Sequence, residues 1–157
     1  MSDKPDVLVS ACLLGLKCRY NGQVQACEGV DEVLKRIHAI PICPEQLGGL
    51  PTPRTPSERL GDRVLNRNGE DVTEAFALGA AQALQIARLC GARWAILKAR
   101  SPSCGFGEIY DGSFTGRTVP GHGMAAEALA KAGIAVFNET QLDVLIDQLE
   151  GSKHDTL

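Results

Sequence analysis

Val7-Leu8-Val9-Ser10-Ala11, entered from Pro5 and Asp6 and followed at once by Cys12, reads as a short buried strand that ends on a thiol. Three later stretches also read as short apolar strands: residues 39–43, ending on Cys43 and stopped by Pro44, residues 94–99, with Lys98 near the end, and residues 134–137. Helical segments lie between them. Val30, Val33, Leu34 and Ile37 share one face by their spacing. Asp71 with Glu74 reads as a capping box opening a long helix to about Cys90, closed by Gly91, with Phe76, Ala80, Ala83, Leu84 and Ala87 on one side. Residues 124–132 form another helix ahead of Gly133, and Asn138 with Gln141 caps a last one carrying Leu142, Leu145, Ile146 and Leu149. Strands alternating with helices predict an α/β fold: a single-domain, open, mainly parallel sheet of about four main strands with helices on both faces, Rossmann-like. The core spans about 7–150, and residues 151–157 are expected to fray.

The chain has 157 residues, enough for one stable core, and its 44% hydrophobic and 22% charged content is that of a globular protein. No apolar run approaches the roughly 20 residues that cross a bilayer, and the first six residues lack the basic flank and apolar segment of a signal peptide. The expectation is a cytoplasmic protein without a membrane partner. Six cysteines in a reducing compartment read as ligands, catalytic groups or core residues rather than disulfides. A net charge of −3 argues against a broad surface for large nucleic acids. Nothing in the sequence bears on oligomeric state.

The connections are uneven in character. Residues 13–29 read as a loop with a tight turn at Asn21-Gly22. Gly48-Gly49, Pro51, Pro53 and Pro56 make residues 44–58 a stiff extended loop, and residues 63–68 a small edge strand turned at Asn68-Gly69. Residues 100–123 form a glycine-studded loop, a length more often functional than inert, with a small hairpin in which residues 108–110 and 113–115 flank Asp111-Gly112.

Cys12, Cys43 and Cys104 each fall at or just after a strand end. In a parallel sheet those ends share one edge, where ligands bind. Three thiolates there would make a metal or cluster site with one open position; the alternative is three small buried hydrophobes. Cys90 reads as core, and either Cys18 or Cys27 could supply a fourth ligand from the first loop. Glu45 stands two residues from Cys43, within reach of a bound molecule as a general base. Ser101 and Ser103 bring hydroxyls to Cys104. Arg19, Arg54, Arg59, Lys98, Arg100 and Arg117 map to the same side and would suit an anionic substrate such as a nucleotide. Gly121-His122-Gly123 precedes a helix whose free amides could hold an anion. His38, His122 and His154 show no ligand spacing and read as surface residues.

Ser10-Ala11-Cys12-Leu13-Leu14-Gly15, Arg19-Tyr20-Asn21-Gly22, Cys43-Pro44-Glu45, Gly48-Gly49-Leu50 with Pro53-Arg54, and Leu97-Lys98 with Ser101-Pro102-Ser103-Cys104-Gly105 together resemble the thiouracil desulfidases. The resemblance runs from about residue 7 to 137. It implies a [4Fe-4S] cluster held by Cys12, Cys43 and Cys104 with one open iron, and catalytic roles for Glu45 and Ser101; the expected substrate contacts are Arg19, Asn21, Arg54 and Ser103. The implied reaction is non-redox desulfuration of a small thiolated pyrimidine (2-thiouracil, 4-thiouracil or a 4-thiouridine nucleotide) to the oxo form and hydrogen sulfide. Two positions depart from the family pattern: Cys18, where no cysteine is expected, and His122, where a small or acidic residue is. A rival reading is a non-catalytic protein that binds metal or carries persulfide on the same cysteines. A third is a nucleotide-binding regulatory module built on the arginines.

Overall fold

A computed structural model describes residues 4–23 and 27–155, with side chains to residue 151. The chain runs β1 (Asp6–Ser10), a 3-10 turn (Ala11–Leu14), α1 (Val30–Leu34), β2 (His38–Ile42), α2 (Pro44–Leu47), β3 (Ser57–Leu60) and β4 (Arg63–Asn66). It continues through α3 (Thr73–Cys90), β5 (Trp94–Leu97), β6 (Phe106–Tyr110), β7 (Thr118–His122), α4 (Met124–Lys131), β8 (Ala135–Asn138) and α5 (Leu142–Asp155).

Four strands form one parallel sheet in the order β2-β1-β5-β8, with Leu8 of β1 between Ile40 and Ala95. Side chains alternate between the faces, as strand geometry requires. Leu8, Ile42, Ala95, Leu97 and Val136 turn toward α3 and α4, and pack on Ala80, Ala83, Ala87, Ala125, Ala126 and Leu129. Val7, Val9, Ile96 and Phe137 turn the other way, toward Val33 and Ile37 beside α1 and Leu142, Leu145 and Leu149 of α5. The chain leaves β1 toward β2 on one side and returns to β5 on the other. The strand order therefore reverses between β1 and β5, and a crevice opens there at the carboxyl ends.

Several expectations are corrected by the structure. Residues 44–58 are not an uninterrupted extended loop: Pro44 sits at the first helical position, where its missing N–H costs nothing, and opens α2. Residues 63–66 do not edge the main sheet but pair antiparallel with β3 as a separate ribbon. The hairpin in the glycine-rich loop is larger than expected, because Thr118–His122 rather than residues 113–115 pair with Phe106–Tyr110. Asp71 accepts the Thr73 amide at 2.9 Å, and α3 starts there rather than at Asp71. Cys90 is exposed, not core. His122 is half-buried, stacks on Phe106 with centroids 4.5 Å apart, and accepts the Gly107 amide. Helix α5 continues to Asp155 instead of fraying at Gly151; the His154 side chain and residues 156–157 lie outside the described residues. No helix among the described residues is long and apolar enough to cross a membrane.

Glycine sets the contact that seats α2. A Cβ on Gly79 of α3 would run into the Pro44 carbonyl, and one on Gly48 into that of Ala75. Backbone meets backbone here, so no side chain can move aside. Gly79→Ala should therefore lower stability by about 2–3 kcal/mol, the cost of overpacking a closed contact, read as a reduced urea midpoint with unchanged slope.

Candidate active site

A cavity of about 330 Å³ lies over the carboxyl end of the sheet, at the small end of the range for ligand pockets. Cys12, Cys43 and Cys104 all line it. Cys12 enters on the 3-10 turn after β1, Cys43 caps α2 after β2, and Cys104 lies on the loop after β5. Cys18 lines it too. The Cys43 thiol donates to the Cys18 carbonyl at 3.7 Å. Of the two first-loop cysteines, Cys18 thus faces the site, whereas Cys27 is not among the cavity-lining residues.

The Cys104 loop is fixed by the helix that follows. Met124 N–H donates to the Pro102 carbonyl at 2.9 Å, and Ala125 and Ala126 N–H donate to the Ser103 carbonyl at 2.9 and 3.0 Å. The first amides of α4 are thereby satisfied. The expected anion site behind Gly121-His122-Gly123 is taken up by the protein's own loop. Gly123 has to be glycine for this contact, since a Cβ there would lie 2.5 Å from the Ser103 carbonyl carbon. Ser101 Oγ accepts the amides of Ser103 and Cys104, both at 3.1 Å, and closes the turn from inside.

Glu45, on the first turn of α2, joins this loop through one side chain. Ser103 Oγ donates to Glu45 Oε2 at 2.9 Å and lies 2.9 Å from Ser101 Oγ. Carboxylate, hydroxyl and hydroxyl form a continuous chain beside Cys104. Arg54 holds the other carboxylate oxygen, Nε to Oε1 at 2.9 Å, with both side chains largely buried. Its remaining donors go to the Pro51 and Cys18 carbonyls and to Thr52 Oγ1. Arg54 lines the cavity, but its guanidinium is spent on positioning Glu45 and the first loop. Ser103 is buried and likewise bonded inward.

The remaining expected residues separate clearly. Arg19 lines the cavity, with its guanidinium 5.9 Å from the Tyr20 ring centre and no carboxylate partner among the described residues. Asn21 is exposed, accepts the Gln23 amide at 3.0 Å, and does not line the cavity. Lys98 lines it but is paired with Glu139, 2.9 Å away. Arg59 reaches instead to the His122 carbonyl and Glu127, and the exposed Arg100 and Arg117 lie off the lining. Three residues escaped the sequence reading. Glu139 follows β8, so the strand-end rule applied to the fourth strand would have found it. Arg67 and Glu58 line the cavity from the β3–β4 ribbon, and no periodicity marks that ribbon's approach.

Burial governs the thiols. Desolvation pushes Cys104 up to about 12, against the smaller lowering effect of hydrogen bonds from Ser10 and Ser103. Cys18 is pushed up to about 12 by desolvation and then by Cys43 and Cys12; Cys12 is raised by desolvation, opposed by Arg19. Among the described residues no three His, Cys, Asp or Glu side chains close on one point at single-ion spacing. Thiolates on one zinc ion would each sit about 2.3 Å from it. Cys12, Cys43 and Cys104, from three strand ends, instead stand around one open volume.

The fold and site define a class: an open α/β protein whose strand-end thiols and carboxylate–hydroxyl chain share one small cavity. The family model of the 2-thiouracil desulfurases matches residues 7–141, and the chain belongs to that family. It is 41% identical over 150 residues to the uncharacterized protein YbbK of Bacillus subtilis (strain 168), covering 89% of this chain and 99% of that one. Among solved structures it is similar to the [4Fe-4S]-dependent thiouracil desulfidase TudS (DUF523Vcz), with a TM-score of 0.86 and 44% identity over 94% of this chain and 99% of that one.

The buried thiols carry a pH signature. The native chain keeps protons that the unfolded chain releases near the ordinary thiol value of 9.0. Stability of the metal-free protein should therefore be fully present below that pH and fall as pH rises from about 9 toward 12. Urea midpoints across this range should show the fall, and Cys104→Ala should flatten it.

Proposed function

We propose that this protein is a [4Fe-4S]-dependent desulfidase that converts a small thiolated uracil, as base or nucleotide, to the oxo compound and hydrogen sulfide without net redox change. The observation that carries the reading is the shared cavity: three strand-end cysteines and the Glu45–Ser103–Ser101 chain face one space, in a chain of the 2-thiouracil desulfurase family. Cys12, Cys43 and Cys104 are the proposed cluster ligands. The bound cluster supplies one open iron, a Lewis acid toward the thiocarbonyl sulfur.

The chain's own residues then handle water and protons. Glu45 takes a proton from the water that attacks the thiocarbonyl carbon. Arg54 holds Oε1 of that carboxylate, which leaves Oε2, the oxygen that accepts the Ser103 hydroxyl, to take the proton. The proton passes from Glu45 to Ser103 Oγ and from Ser103 to Ser101 Oγ, and Ser101 delivers it to the departing sulfur. That relay returns Glu45 to its starting state, and the second proton of hydrogen sulfide comes from the added hydroxyl as the new carbonyl forms. One water enters, one hydrogen sulfide leaves, and no electron donor is consumed. Arg19 and Arg67, free of carboxylate partners among the described residues, suit an anionic substituent on the substrate. Six free cysteines fit the reducing cytoplasm expected for it.

The test is anaerobic reconstitution followed by 2-thiouracil, 4-thiouracil and 4-thiouridine monophosphate. Sulfide should appear without added reductant; strict dependence on an electron donor, or one bound zinc with no acid-labile sulfide, would overturn the reading. Cys12→Ser, Cys43→Ser and Cys104→Ser should each lose iron and acid-labile sulfide, while Cys18→Ser keeps both. Glu45→Gln should retain the cluster and lower kcat at least about 100-fold, the scale of a lost general base. Ser103→Ala should cut kcat by less, because water can bridge the gap between Glu45 and Ser101.

A further inference from the structure

Glu58 is the buried carboxylate that the reaction above does not use. It projects from β3 into the cavity wall and is only 9% exposed. Oε1 accepts the amides of Gly112 and Phe114 at 2.9 and 3.1 Å, and so pins the loop between β6 and β7 to the β3–β4 ribbon. Phe114 is held in a left-handed conformation, φ 59°, and lines the cavity with its ring under the Arg67 guanidinium, 5.5 Å from centre to carbon. Among the described residues no lysine or arginine pairs with Glu58, and Oε2 takes no hydrogen bond. Among the described residues no fully buried side-chain nitrogen or oxygen lacks a partner. Oε2 is therefore not sealed in protein, and the residue that carries it lines the cavity.

An ionised carboxylate only accepts hydrogen bonds, so whatever meets Oε2 must donate. The cations that line the same space, Arg19 and Arg67 among them, only donate and recognise the opposite chemistry. We propose that Glu58 is a substrate-binding, specificity-determining residue whose Oε2 accepts an N–H or O–H donor of the nucleobase or nucleoside while its Oε1 latches the 111–117 loop. This rests on the desulfidase reading for the identity of the ligand, not for the existence of the acceptor. Two donors share the required chemistry, the ring N–H of the pyrimidine and a ribose hydroxyl.

Glu58→Gln separates the two jobs of the side chain. Its carbonyl oxygen can still hold Gly112 and Phe114, whereas its amide turns a donor toward the cavity. Hydrogen-exchange protection at Gly112 and Phe114 should persist in the variant. With the reconstituted enzyme and 4-thiouridine the loss should fall on KM, about tenfold or more, the scale of a hydrogen bond to a charged group. Calorimetric titration with uridine should show a matching loss of affinity that needs no turnover. N3-methyl-4-thiouridine and 2′,3′-dideoxy-4-thiouridine assign the donor: the analogue that lacks it binds wild type poorly and no longer distinguishes Glu58→Gln. Equal KM and equal uridine affinity in wild type and variant, or a ratio that neither analogue alters, would overturn the proposal. If wild type releases no sulfide yet uridine binding weakens in Glu58→Gln, the desulfidase reading falls and the acceptor stands; no uridine binding by wild type overturns both. Should Glu58→Gln fail to fold, the analogue series on wild type decides alone, and equal binding of all three nucleosides is the refuting result.

Discussion

Pro102 and Ser103 present their carbonyls to the first three amides of α4, and the residues on either side, Ser101 and Cys104, take their positions from that contact. A helix start carries amides with no intrahelical partner, which must be met by something. Here they are met by the loop that bears a thiol and two hydroxyls, and the loop is held by backbone geometry rather than by exchangeable side chains. Gly123 and Gly105 remove the Cβ atoms that would block the approach. The Ser103 hydroxyl is left free to turn toward Glu45, which α2 brings across from the far side of the crevice. Two loops distant in sequence are thus joined by one hydroxyl.

Charge in the cavity is arranged in two tiers. Glu45 and Lys98 are each neutralised by a partner, Arg54 and Glu139, within 2.9 Å. Burying those groups alone would cost several kcal/mol per ion. Pairing offsets part of that penalty and orients the carboxylate. Arg19 and Arg67 have no such partner and rest near aromatic rings, those of Tyr20 and Phe114. A guanidinium placed on a ring keeps its in-plane donors available. The paired charges fix the machinery, and the unpaired ones remain free to meet a ligand.

The parallel sheet was legible because each strand is a short apolar run bounded by Gly, Pro or a polar cap, and the helices between them keep their 3.6-residue period. The strand-end rule then located Cys12, Cys43 and Cys104 on one edge without reference to any relative. It said nothing useful about Arg54, because a guanidinium that lines a cavity and one that braces a carboxylate look the same in sequence. Asn21 lies off the cavity for a related reason: a residue that shapes a turn can sit inside a motif without lining the space beside it. Cys90 was misread since a helix end turns its last residues out of the amphipathic pattern. Glu58 and Arg67 were invisible, because their ribbon is held at the cavity by contacts with the β6–β7 hairpin, across some fifty residues of chain.

That division has a physical consequence. The thiol-bearing edge is set by strands hydrogen-bonded along their length and by a helix start, so small changes elsewhere leave it in place. The opposite wall is two antiparallel ribbons clasped by neighbouring side chains of β3: Glu58 holds the 111–117 loop, and Arg59 reaches the His122 carbonyl and Glu127 of α4. Adjacent strand residues point to opposite faces, so the two clasps grip different parts of the hairpin and resist its rotation. A wall of this kind can change its lining without disturbing the thiol-bearing edge. The shape and charge of the cavity are therefore open to change at the ribbons, while the sheet edge stays constant.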